Sequence, residues 1–302
     1  MAVMVKNEIS KLKQVIVGIA DFNGPIPKVE EAYDPQSLRH VIKGTYPSEK
    51  ELVQQLEGLC DVLRIHGVEV FRPQLMRGVN QIFTRDVGFV ISNRFFKSNI
   101  LPDREEEWLA IKPLIDSLDI QVHVLPEKVH VEGGDVILYD DFLFVGTYYG
   151  ADYATYKTAR TNPLAVACLK EQFPNKTVVG IDLLKSDVDP SAGALHLDCC
   201  FQPVGQSSAI VCFDVFRDKK DVEFIKQRFS DDNLYVLQKE EMSQLQTNVV
   251  SIDANTLISD LRFKGLNDWL RSKNITVVEL DYSAVGKLGG LFRCSTLPLI
   301  RE

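Results

Sequence analysis

The chain has 302 residues, of which 45% are hydrophobic and 25% are charged, the composition of a globular protein with a sizeable core. Its formal net charge of -8 argues against a nucleic-acid surface, which needs clustered Lys and Arg, although it is compatible with a cationic substrate. No apolar run reaches the roughly 18 residues of a membrane span, and residues 1–8 lack the pattern of a signal peptide, so we expect a cytoplasmic protein.

A helical pattern followed by a short strand recurs five times along the chain. In the first helix, Leu52, Leu56, Leu59 and Leu63 recur at intervals of three and four residues, which indicates one buried face. The predicted pairs of helix and following strand are 49–66 with 67–71, 105–118 with 120–124, 163–173 with 176–181, 222–229 with 233–237, and 255–272 with 275–280.

Another predicted strand precedes each helix, at 15–19, 88–91, 142–145, 209–213 and 249–252. Each unit therefore consists of strand, helix and strand, and its length is typical of known internal repeats. A Rossmann domain also alternates strands and helices, but the GxGxxG motif that should follow its first strand is absent. Five similar units favour one closed, roughly symmetric α/β domain that spans residues 1–302.

The residue types that carry chemistry lie at strand ends and in the loops between units, which converge on the central axis of a radially repeated fold. They occur in four motifs, Phe83-Thr84-Arg85-Asp86, Glu132-Gly133-Gly134-Asp135, His196-Leu197-Asp198 and Gly289-Gly290-Leu291-Phe292-Arg293-Cys294. A thiol, an imidazole and several carboxylates together provide the groups needed to attack a guanidinium carbon.

Each motif also has an ordinary structural interpretation. Asp86 next to Arg85 is compatible with a surface ion pair, and Gly-Gly between acids is common in turns. His196 and Asp198 would share one face of a strand, since residues two apart point to the same side. Cys294 follows glycines that permit close approach of a ligand, and it is either a buried structural thiol or a nucleophile. The other five cysteines have no metal or disulfide spacing and are interpreted as inert core residues.

Taken in order, the four motifs resemble those of the guanidino-group-modifying superfamily, which includes arginine deiminases, dimethylarginine dimethylaminohydrolases, agmatine deiminases and amidinotransferases. Residues 83–86 and 132–135 resemble the FTRD and EGGD motifs of arginine deiminases, and residues 196–201 resemble HLDxxF. Residues 292–297 are similar to the FHCxTL motif of amidinotransferases. The resemblance implies an α/β propeller, the pentein fold, in which five ββαβ units surround a pseudo-fivefold axis.

The resemblance also implies a mechanism. Cys294 would attack the guanidinium carbon and form a covalent amidino intermediate. His196 would protonate the leaving amine and then deprotonate the incoming nucleophile. Glu132 would pair with His196 or with the substrate and keep the imidazole oriented and protonated. This chemistry implies no metal and no organic cofactor.

Substrate binding is assigned by the same resemblance to Asp86 and Asp198, which would hold the guanidinium nitrogens through charge-assisted hydrogen bonds. Arg104 lies near a position at which arginine deiminases bind the α-carboxylate of arginine. Glycines stand near two other such positions, which leaves Arg160 or Arg293 as a substitute. How the substrate tail is recognised therefore stays open.

The acceptor of the amidino group decides the reaction class. Water gives a hydrolase of the deiminase or dimethylargininase type, which the first two motifs favour, and an amine gives an amidinotransferase, which the last motif favours. We expect hydrolysis, because water is always present.

A further alternative is a non-catalytic ribosome-binding protein, since this fold also occurs in a translation initiation factor. The expected partner is a small guanidinium compound rather than a nucleic acid or a membrane, and a homo-oligomer is left open.

Overall fold

Five small sheets of three strands each make up the fold, and the computed structural model describes residues 1–302 throughout. In every sheet the middle strand pairs antiparallel with one neighbour and parallel with the other. A parallel pair needs a crossover connection, and a helix supplies it in each unit. The predicted fold class, a pentein propeller of ββαβ units, is confirmed.

Strands and helices alternate along the chain. The strands are β1 (Leu12–Val17), β2 (Glu69–Phe71), β3 (Gly88–Ile91), β4 (Arg94–Lys97), β5 (Val122–Val124), β6 (Val136–Tyr139), β7 (Phe142–Thr147), β8 (Thr177–Asp182), β9 (Phe201–Val204), β10 (Ser208–Val211), β11 (Leu234–Val236), β12 (Val250–Asp253), β13 (Thr256–Asp260), β14 (Thr276–Leu280) and β15 (Thr296–Arg301). The helices are α1 (Pro35–Ile42), α2 (Glu49–Ile65), α3 (Thr84–Val87), α4 (Glu106–Ser117), α5 (Pro163–Gln172), α6 (Lys219–Phe229), α7 (Lys239–Ser243), α8 (Lys264–Ser272) and α9 (Ser283–Gly286).

The two ends of the chain meet in the first unit. β15 pairs antiparallel with β1, and β1 pairs parallel with β2, so the C-terminal strand completes the sheet that the N-terminal strand begins. Isolated bridges from Met4 to Ile300 and from Val5 to Ser92 add to this closure. The loop that carries Cys294 leads directly into β15, so the closure also fixes where the thiol lies.

Four of the five predicted helices correspond to α2, α4, α5 and α6, with ends within a few residues of those predicted. α2 begins after Ser48, whose hydroxyl accepts a hydrogen bond from the Glu51 amide while the Glu51 carboxylate accepts one from the Ser48 amide. This capping box satisfies backbone donors that the first turn leaves free. The leucines predicted to form one face of α2 are all buried.

The fifth predicted helix, residues 255–272, is wrong over its first part. Thr256–Asp260 forms β13, the middle strand of its sheet, and α8 begins only at Lys264. Neighbouring residues of a strand face opposite sides, and both Leu257 and Ile258 are buried. A strand buried on both sides shows no alternation of polar and apolar residues, so its pattern cannot be told from that of a buried helix.

Apolar side chains form two buried clusters, one around α4 and α5 and the other around α2, α6 and α8. Charged side chains are buried as well, among them Asp86, Glu132, His196 and Arg293, each at most 3% exposed. Because buried charges must be paired or hydrogen-bonded, this polar group marks the part of the molecule that requires a functional explanation. No helix of the structure combines the length and the apolar character needed to cross a membrane.

Candidate active site

Five short segments, one from each unit, meet through hydrogen bonds. They precede β3, β6, β9, β12 and β15 and carry Asp86, Glu132, His196, Asn248 and Cys294, respectively. Bonds between segments join the Arg85 amide to the Cys294 carbonyl at 3.0 Å, the Arg293 amide to the Asn248 carbonyl at 3.3 Å, the Thr247 hydroxyl to the Asp198 carbonyl at 2.7 Å, and the Leu197 amide to the Asp135 carboxylate at 2.8 Å. The structure therefore brings the four sequence motifs together.

Carboxylates face both nitrogens of the His196 imidazole. Nε2 lies 2.8 Å from Glu132 Oε2, and Nδ1 lies 3.6 Å from Asp86 Oδ1. Glu132 is held in turn by the Leu101 amide, which donates to Oε1 at 3.0 Å. Together with Arg104 and Arg160, described below, these residues form what we call the imidazole side of the site.

The strand predicted around His196 and Asp198 is wrong. His196 precedes a short 3-10 turn, Leu197–Cys199, so the imidazole faces Glu132 whereas the Asp198 carboxylate faces Cys294. The first amide of the turn donates to a carboxylate of the neighbouring segment instead of joining a strand ladder. The two side chains do not share one face, but both point into the site.

Two arginines pair with the carboxylates around His196. Arg160 Nη1 lies 3.2 Å from Glu132 Oε2, and Arg104 Nη1 lies 2.8 Å from Asp86 Oδ2. Burial would raise the pKa of Glu132, but Arg160 and the hydrogen bond with His196 hold it below its usual range. Burial would lower the pKa of His196, but Asp86 and Glu132 raise it to about 9. The imidazole is therefore protonated at neutral pH and able to donate a proton.

Arg104, the predicted ligand of a substrate carboxylate, is 3% exposed and engaged with the protein through all three nitrogens. Nε and Nη2 donate to the Glu107 carboxylate at 2.7 and 2.8 Å, and Nη1 donates to Asp86. Arg160 similarly donates to Glu132 and to the Tyr33 carbonyl. Neither guanidinium group is free for a substrate carboxylate in this structure.

Cys294 and its neighbours form the thiol side of the site. Cys294 Sγ accepts a hydrogen bond from Asn248 Nδ2 at 3.1 Å and donates one to Asp198 Oδ2 at 3.6 Å. Arg293 Nη1 donates to Asp198 at 2.8 Å and its remaining nitrogens bond to Glu8, so Arg293 is also unavailable to a substrate carboxylate.

Cys294 is uncharged at neutral pH, whereas His196 is charged. Burial and the nearby Asp198 and Asp86 carboxylates raise the pKa of the Cys294 thiol well above its ordinary value. The hydrogen bond from Asn248 opposes this shift without cancelling it. The free protein therefore holds a thiol, not a thiolate, at neutral pH.

Asn248 belongs to the site, although no sequence motif pointed to it. It is completely buried, and its Oδ1 accepts hydrogen bonds from the backbone amides of Leu291 at 3.0 Å and of Cys294 at 3.1 Å. Its amide group therefore fixes both the backbone of the Cys294 loop and the thiol. The signal in the sequence was position, since Asn248 stands just before the first strand of its unit, as the other four site residues do.

Two glycines are required by the packing of these loops. A Cβ at Gly134 would lie 2.7 Å from His196 Nδ1 and 2.9 Å from Asp86 Oδ1. A Cβ at Gly290 would lie 2.8 Å from the Cys294 Cβ. Any larger residue would push the imidazole or the thiol out of place, which explains one glycine in each of the two Gly-Gly motifs.

Two polar atoms at the centre of the imidazole side lack hydrogen-bond partners. They are Asp86 Oδ1 and His196 Nδ1, both buried and 3.6 Å apart. Buried polar atoms are nearly always satisfied, so unsatisfied ones need an explanation. A ligand with planar N–H donors, such as a guanidinium group, would satisfy the carboxylate oxygen.

Asp86, Glu132 and His196 also offer ligand atoms within 4.8 Å of one another, as a metal site does. Arg104 and Arg160 contact the oxygens of the same carboxylates, and His196 Nε2 is already bonded to Glu132. A metal ion would have to displace these partners. The arrangement suits proton transfer and binding of a planar cation better than metal ligation.

The reactive side chains are closed off from solvent. Cys294 is 3% exposed and His196 is completely buried. A cavity of about 270 Å³ lies next to them, lined in part by Tyr33, Asp34 and Arg104, but neither Cys294 nor His196 reaches its surface. A substrate therefore reaches the thiol only if residues that cover it move.

Comparison with protein families gives a match over residues 40–301 to the family described as N,N dimethylarginine dimethylhydrolase, eukaryotic. Among curated proteins, the uncharacterized protein YkgA of Bacillus subtilis (strain 168) is 33% identical over 245 residues, which are 80% of this chain and 78% of YkgA.

Solved structures share the fold at low identity. The N-terminal domain of ArgZ, an arginine dihydrolase of cyanobacteria, superposes with a TM-score of 0.79 and 18% identity and covers 96% of this chain and 98% of that domain. The inosamine-phosphate amidinotransferase StrB1 of Streptomyces griseus gives a TM-score of 0.75 at 17% identity, over 99% of this chain and 97% of StrB1. These likenesses establish the fold alone.

Proposed function

The chain belongs to the N,N-dimethylarginine dimethylhydrolase family of guanidino-group-modifying enzymes, and on that premise we propose that it hydrolyses a C–N bond of a guanidino compound through a covalent Cys294 intermediate. The observation that carries the proposal is that three groups lie together in the interior of the protein. They are the thiol of Cys294, the protonated imidazole of His196 and a carboxylate oxygen of Asp86 that has no hydrogen-bond partner. These are the nucleophile, the proton donor and the cation ligand that the reaction needs.

Binding is the first proposed step. The planar guanidinium group of the substrate donates hydrogen bonds to Asp86, whose Oδ1 is free, and to Asp198. A cation beside Cys294 lowers the pKa of the thiol, which the carboxylates otherwise raise. The thiolate therefore forms, with release of its proton to solvent, only when the substrate is in place.

Two chemical steps follow. Cys294 Sγ forms a bond to the guanidinium carbon, and the bond from that carbon to the departing amine breaks as His196 gives the amine its proton. The neutral His196 then takes a proton from water, and the resulting hydroxide attacks the same carbon. The S–C bond breaks as the added oxygen becomes the ureido carbonyl, and the hydroxyl proton passes to the sulfur and restores the thiol. The products are a ureido compound and ammonia, or an alkylamine where the substrate is alkylated.

The charged neighbours of His196 support both roles. Glu132 stays hydrogen-bonded to Nε2 and favours the imidazolium, while Arg104 and Arg160 keep Glu132 ionised. Asn248 holds the nucleophile loop through both of its amide atoms. These steps use only side chains of this chain and require no cofactor.

An amidinotransferase is the second candidate. An amine that replaced water in the second step would receive the amidino group. Residues 292–297, which resemble an amidinotransferase motif, favour this reading, and the StrB1 amidinotransferase has the same fold. The two candidates share every residue and every step up to the covalent intermediate, so the acceptor distinguishes them.

Mass spectrometry of products and of the intact protein tests the proposal. The purified protein is incubated with arginine, Nω-methylated arginines, agmatine and guanidino acids, alone and with glycine or ornithine. We expect a ureido product without any added amine. An adduct on Cys294 that discharges only when an amine is added would make the protein a transferase. No product and no adduct with any compound would contradict both candidates.

A further inference from the structure

We infer that this protein has a second binding site, and that its ligand is an amino acid with two cationic groups and one carboxylate. The site is a cavity of about 250 Å³ between residues 97–105, residues 127–130 and Tyr153, which we call the outer cavity. It shares no lining residue with the cavity near Cys294 and His196. The inference goes beyond the proposed function and does not depend on it, because none of the residues that would hold the ligand takes part in the chemistry.

A buried hydroxyl group gives the first indication of a ligand. Ser98 lines the outer cavity and is 1% exposed, and its Oγ has no hydrogen-bond partner in the protein. Buried polar atoms are nearly always hydrogen-bonded, and a serine hydroxyl both donates and accepts. Ser98 therefore has an unused hydrogen bond for a polar group in the cavity.

Three charged side chains of the outer cavity have no ion-pair partner in the protein. They are Lys97, Glu105 and Glu127. The Lys97 ammonium group lies 5.6 Å from the centre of the Trp108 ring, a contact that holds the side chain without neutralising its charge. A ligand with complementary charges would pair with all three.

The charge of both glutamates reaches the wall of the outer cavity. Burial, together with the carboxylates of Asp152, Glu127 and Glu105, raises the pKa of the Tyr153 hydroxyl. His130 adds no free cation to offset this charge, since its Nδ1 lies 2.8 Å from Asp152 Oδ2. The outer cavity is therefore more negative than positive, and it favours a ligand with a net positive charge.

The walls of the outer cavity are held in place without a ligand. The His130 and Tyr153 rings pack with their centroids 4.4 Å apart, and the Tyr153 hydroxyl lies 3.3 Å from His130 Nε2. On the opposite wall, Asn99 Nδ2 donates to the carbonyls of Pro126 and Val129 at 2.9 Å, which fixes the turn between them. Binding would therefore require little ordering of the protein.

The chemistry of the lining groups defines the ligand. One ammonium group and one hydroxyl, at Lys97 and Ser98, suit a carboxylate, whereas Glu105 and Glu127 suit two cationic groups. An α-amino acid with a basic side chain carries this set of charges. A ligand with a single amine would leave one glutamate without a partner, and a diamine without a carboxylate would leave Lys97 without one.

The outer cavity is separate from the active site but adjacent to residues that hold it. Ile100 lines the cavity, and the next residue, Leu101, donates its amide hydrogen to Glu132 Oε1 at 3.0 Å. Asn99 also pairs with Val131, the neighbour of Glu132, in an isolated bridge. Binding in the outer cavity must therefore be measured with ligands that cannot enter the guanidinium site as substrates.

Three compounds without a guanidinium group separate the contributions of the charges. L-Lysine carries two cationic groups and a carboxylate, L-norleucine lacks the amine of the side chain, and 1,5-diaminopentane lacks the carboxylate. In calorimetric titrations of the wild-type protein at low ionic strength, we expect L-lysine to bind about tenfold or more tightly than either analogue. No binding of L-lysine at concentrations up to about 10 mM, or equal binding of either analogue, would overturn the inference.

Variants of the outer cavity locate the binding. Ser98→Ala removes a hydroxyl that has no partner in the protein, so it should keep the stability and lower the affinity for L-lysine about fivefold. The double substitution Glu105→Gln and Glu127→Gln should lower that affinity about tenfold or more.

The control for the double variant is Glu171→Gln with Glu223→Gln, which changes the net charge equally at exposed positions outside the outer cavity. It should bind L-lysine as the wild-type protein does. An unchanged affinity in either cavity variant, or an equal loss in the control, would place the binding of L-lysine elsewhere and overturn the inference. The activity on guanidino compounds is measured separately, so neither result bears on the proposed function.

Discussion

His196 and Cys294 occupy corresponding positions, each in the loop before the first strand of its unit, and both are almost completely buried. Burial alone would favour the uncharged form of both groups. On the imidazole side, Asp86 and Glu132 overcome burial and keep His196 charged. On the thiol side, Asp198 adds to the effect of burial and keeps Cys294 uncharged.

The difference shows how one set of carboxylates serves two reactive groups. Carboxylates stabilise an imidazolium and destabilise a thiolate. In the free protein the proton donor is therefore in its protonated form, whereas the nucleophile is not yet ionised. A bound guanidinium cation changes only the ionisation of the thiol, since it supplies the positive charge that the thiolate lacks. Activation of the nucleophile would then depend on the substrate, and each variant below tests one side of this comparison.

Removal of the thiol should have the largest effect. In Cys294→Ala we expect activity on a guanidino substrate to fall roughly a thousandfold or more, because no covalent intermediate can form. The free energy of unfolding should change by about 1 kcal/mol at most, since the side chain is small. Cys212→Ala, at a buried cysteine outside the site, is the control and should retain activity. Product analysis and denaturant unfolding measure both, and an active Cys294→Ala protein would refute the mechanism.

Glu132→Gln tests the imidazole side. Without its anionic partner, His196 should have a lower pKa, so activity should fall about a hundredfold and the basic limb of the pH–rate profile should move to lower pH. Glu8→Gln is the matched control, because Glu8 is also buried and paired with an arginine, Arg293.

Both of these variants should lose about 3–5 kcal/mol of stability, since each leaves a buried arginine short of a partner. Only Glu132→Gln should shift the basic limb. If Glu8→Gln shifted it equally, the basic limb would report on general disruption of the site and not on His196.

Asn248→Ala tests the thiol side and should have a smaller effect. It removes the acceptor of two backbone amides in the Cys294 loop and the donor to Sγ, so we expect a tenfold to hundredfold loss in kcat with little change in KM. Asn267→Ala is the control, as Asn267 is also completely buried and bonds to Asp260. Both variants should lose about 1–3 kcal/mol of stability. Equal losses of activity in the two would assign Asn248 a structural role only.

Asn248 also shows where prediction from the sequence reached its limit. Asp86, Glu132, His196 and Cys294 stand in motifs whose chemistry is recognisable, and the repeat predicted that they converge. Asn248 is a neutral amide without a motif, and only its position just before β12, the first strand of the fifth unit, could have revealed it.

The errors of prediction have physical causes. Residues 256–260 were predicted to belong to a helix because a middle strand that is buried on both faces shows no alternation of polar and apolar residues. His196 and Asp198 read as a strand because a side chain of another unit, not the local sequence, binds the amide that follows His196. The ion pairs of Arg104 depend on residues from three segments, which no local pattern encodes.

Stability at alkaline pH, unlike activity, should depend on the charge of His196. The folded-state pKa of His196, about 9, lies above its ordinary value of 6.5, so its charged interactions contribute stability that is full below pH 6.5 and is lost as the pH rises through 9. The whole contribution corresponds to about 3 kcal/mol. Between pH 7 and pH 9, the wild-type protein should therefore lose thermal stability more steeply than His196→Gln.

A histidine outside the site serves as the control for this pH dependence of thermal stability. His123→Gln changes a residue of β5 and should keep the wild-type slope. The thiol would add a decline of its own, because the raised pKa of Cys294 also disfavours folding once an unfolded cysteine ionises. Repeating the measurement in Cys294→Ala removes that second contribution. If the difference between His196→Gln and its parent vanished in that background, the alkaline decline would belong to the thiol side, and the protonated imidazole on which the comparison depends would have to be abandoned.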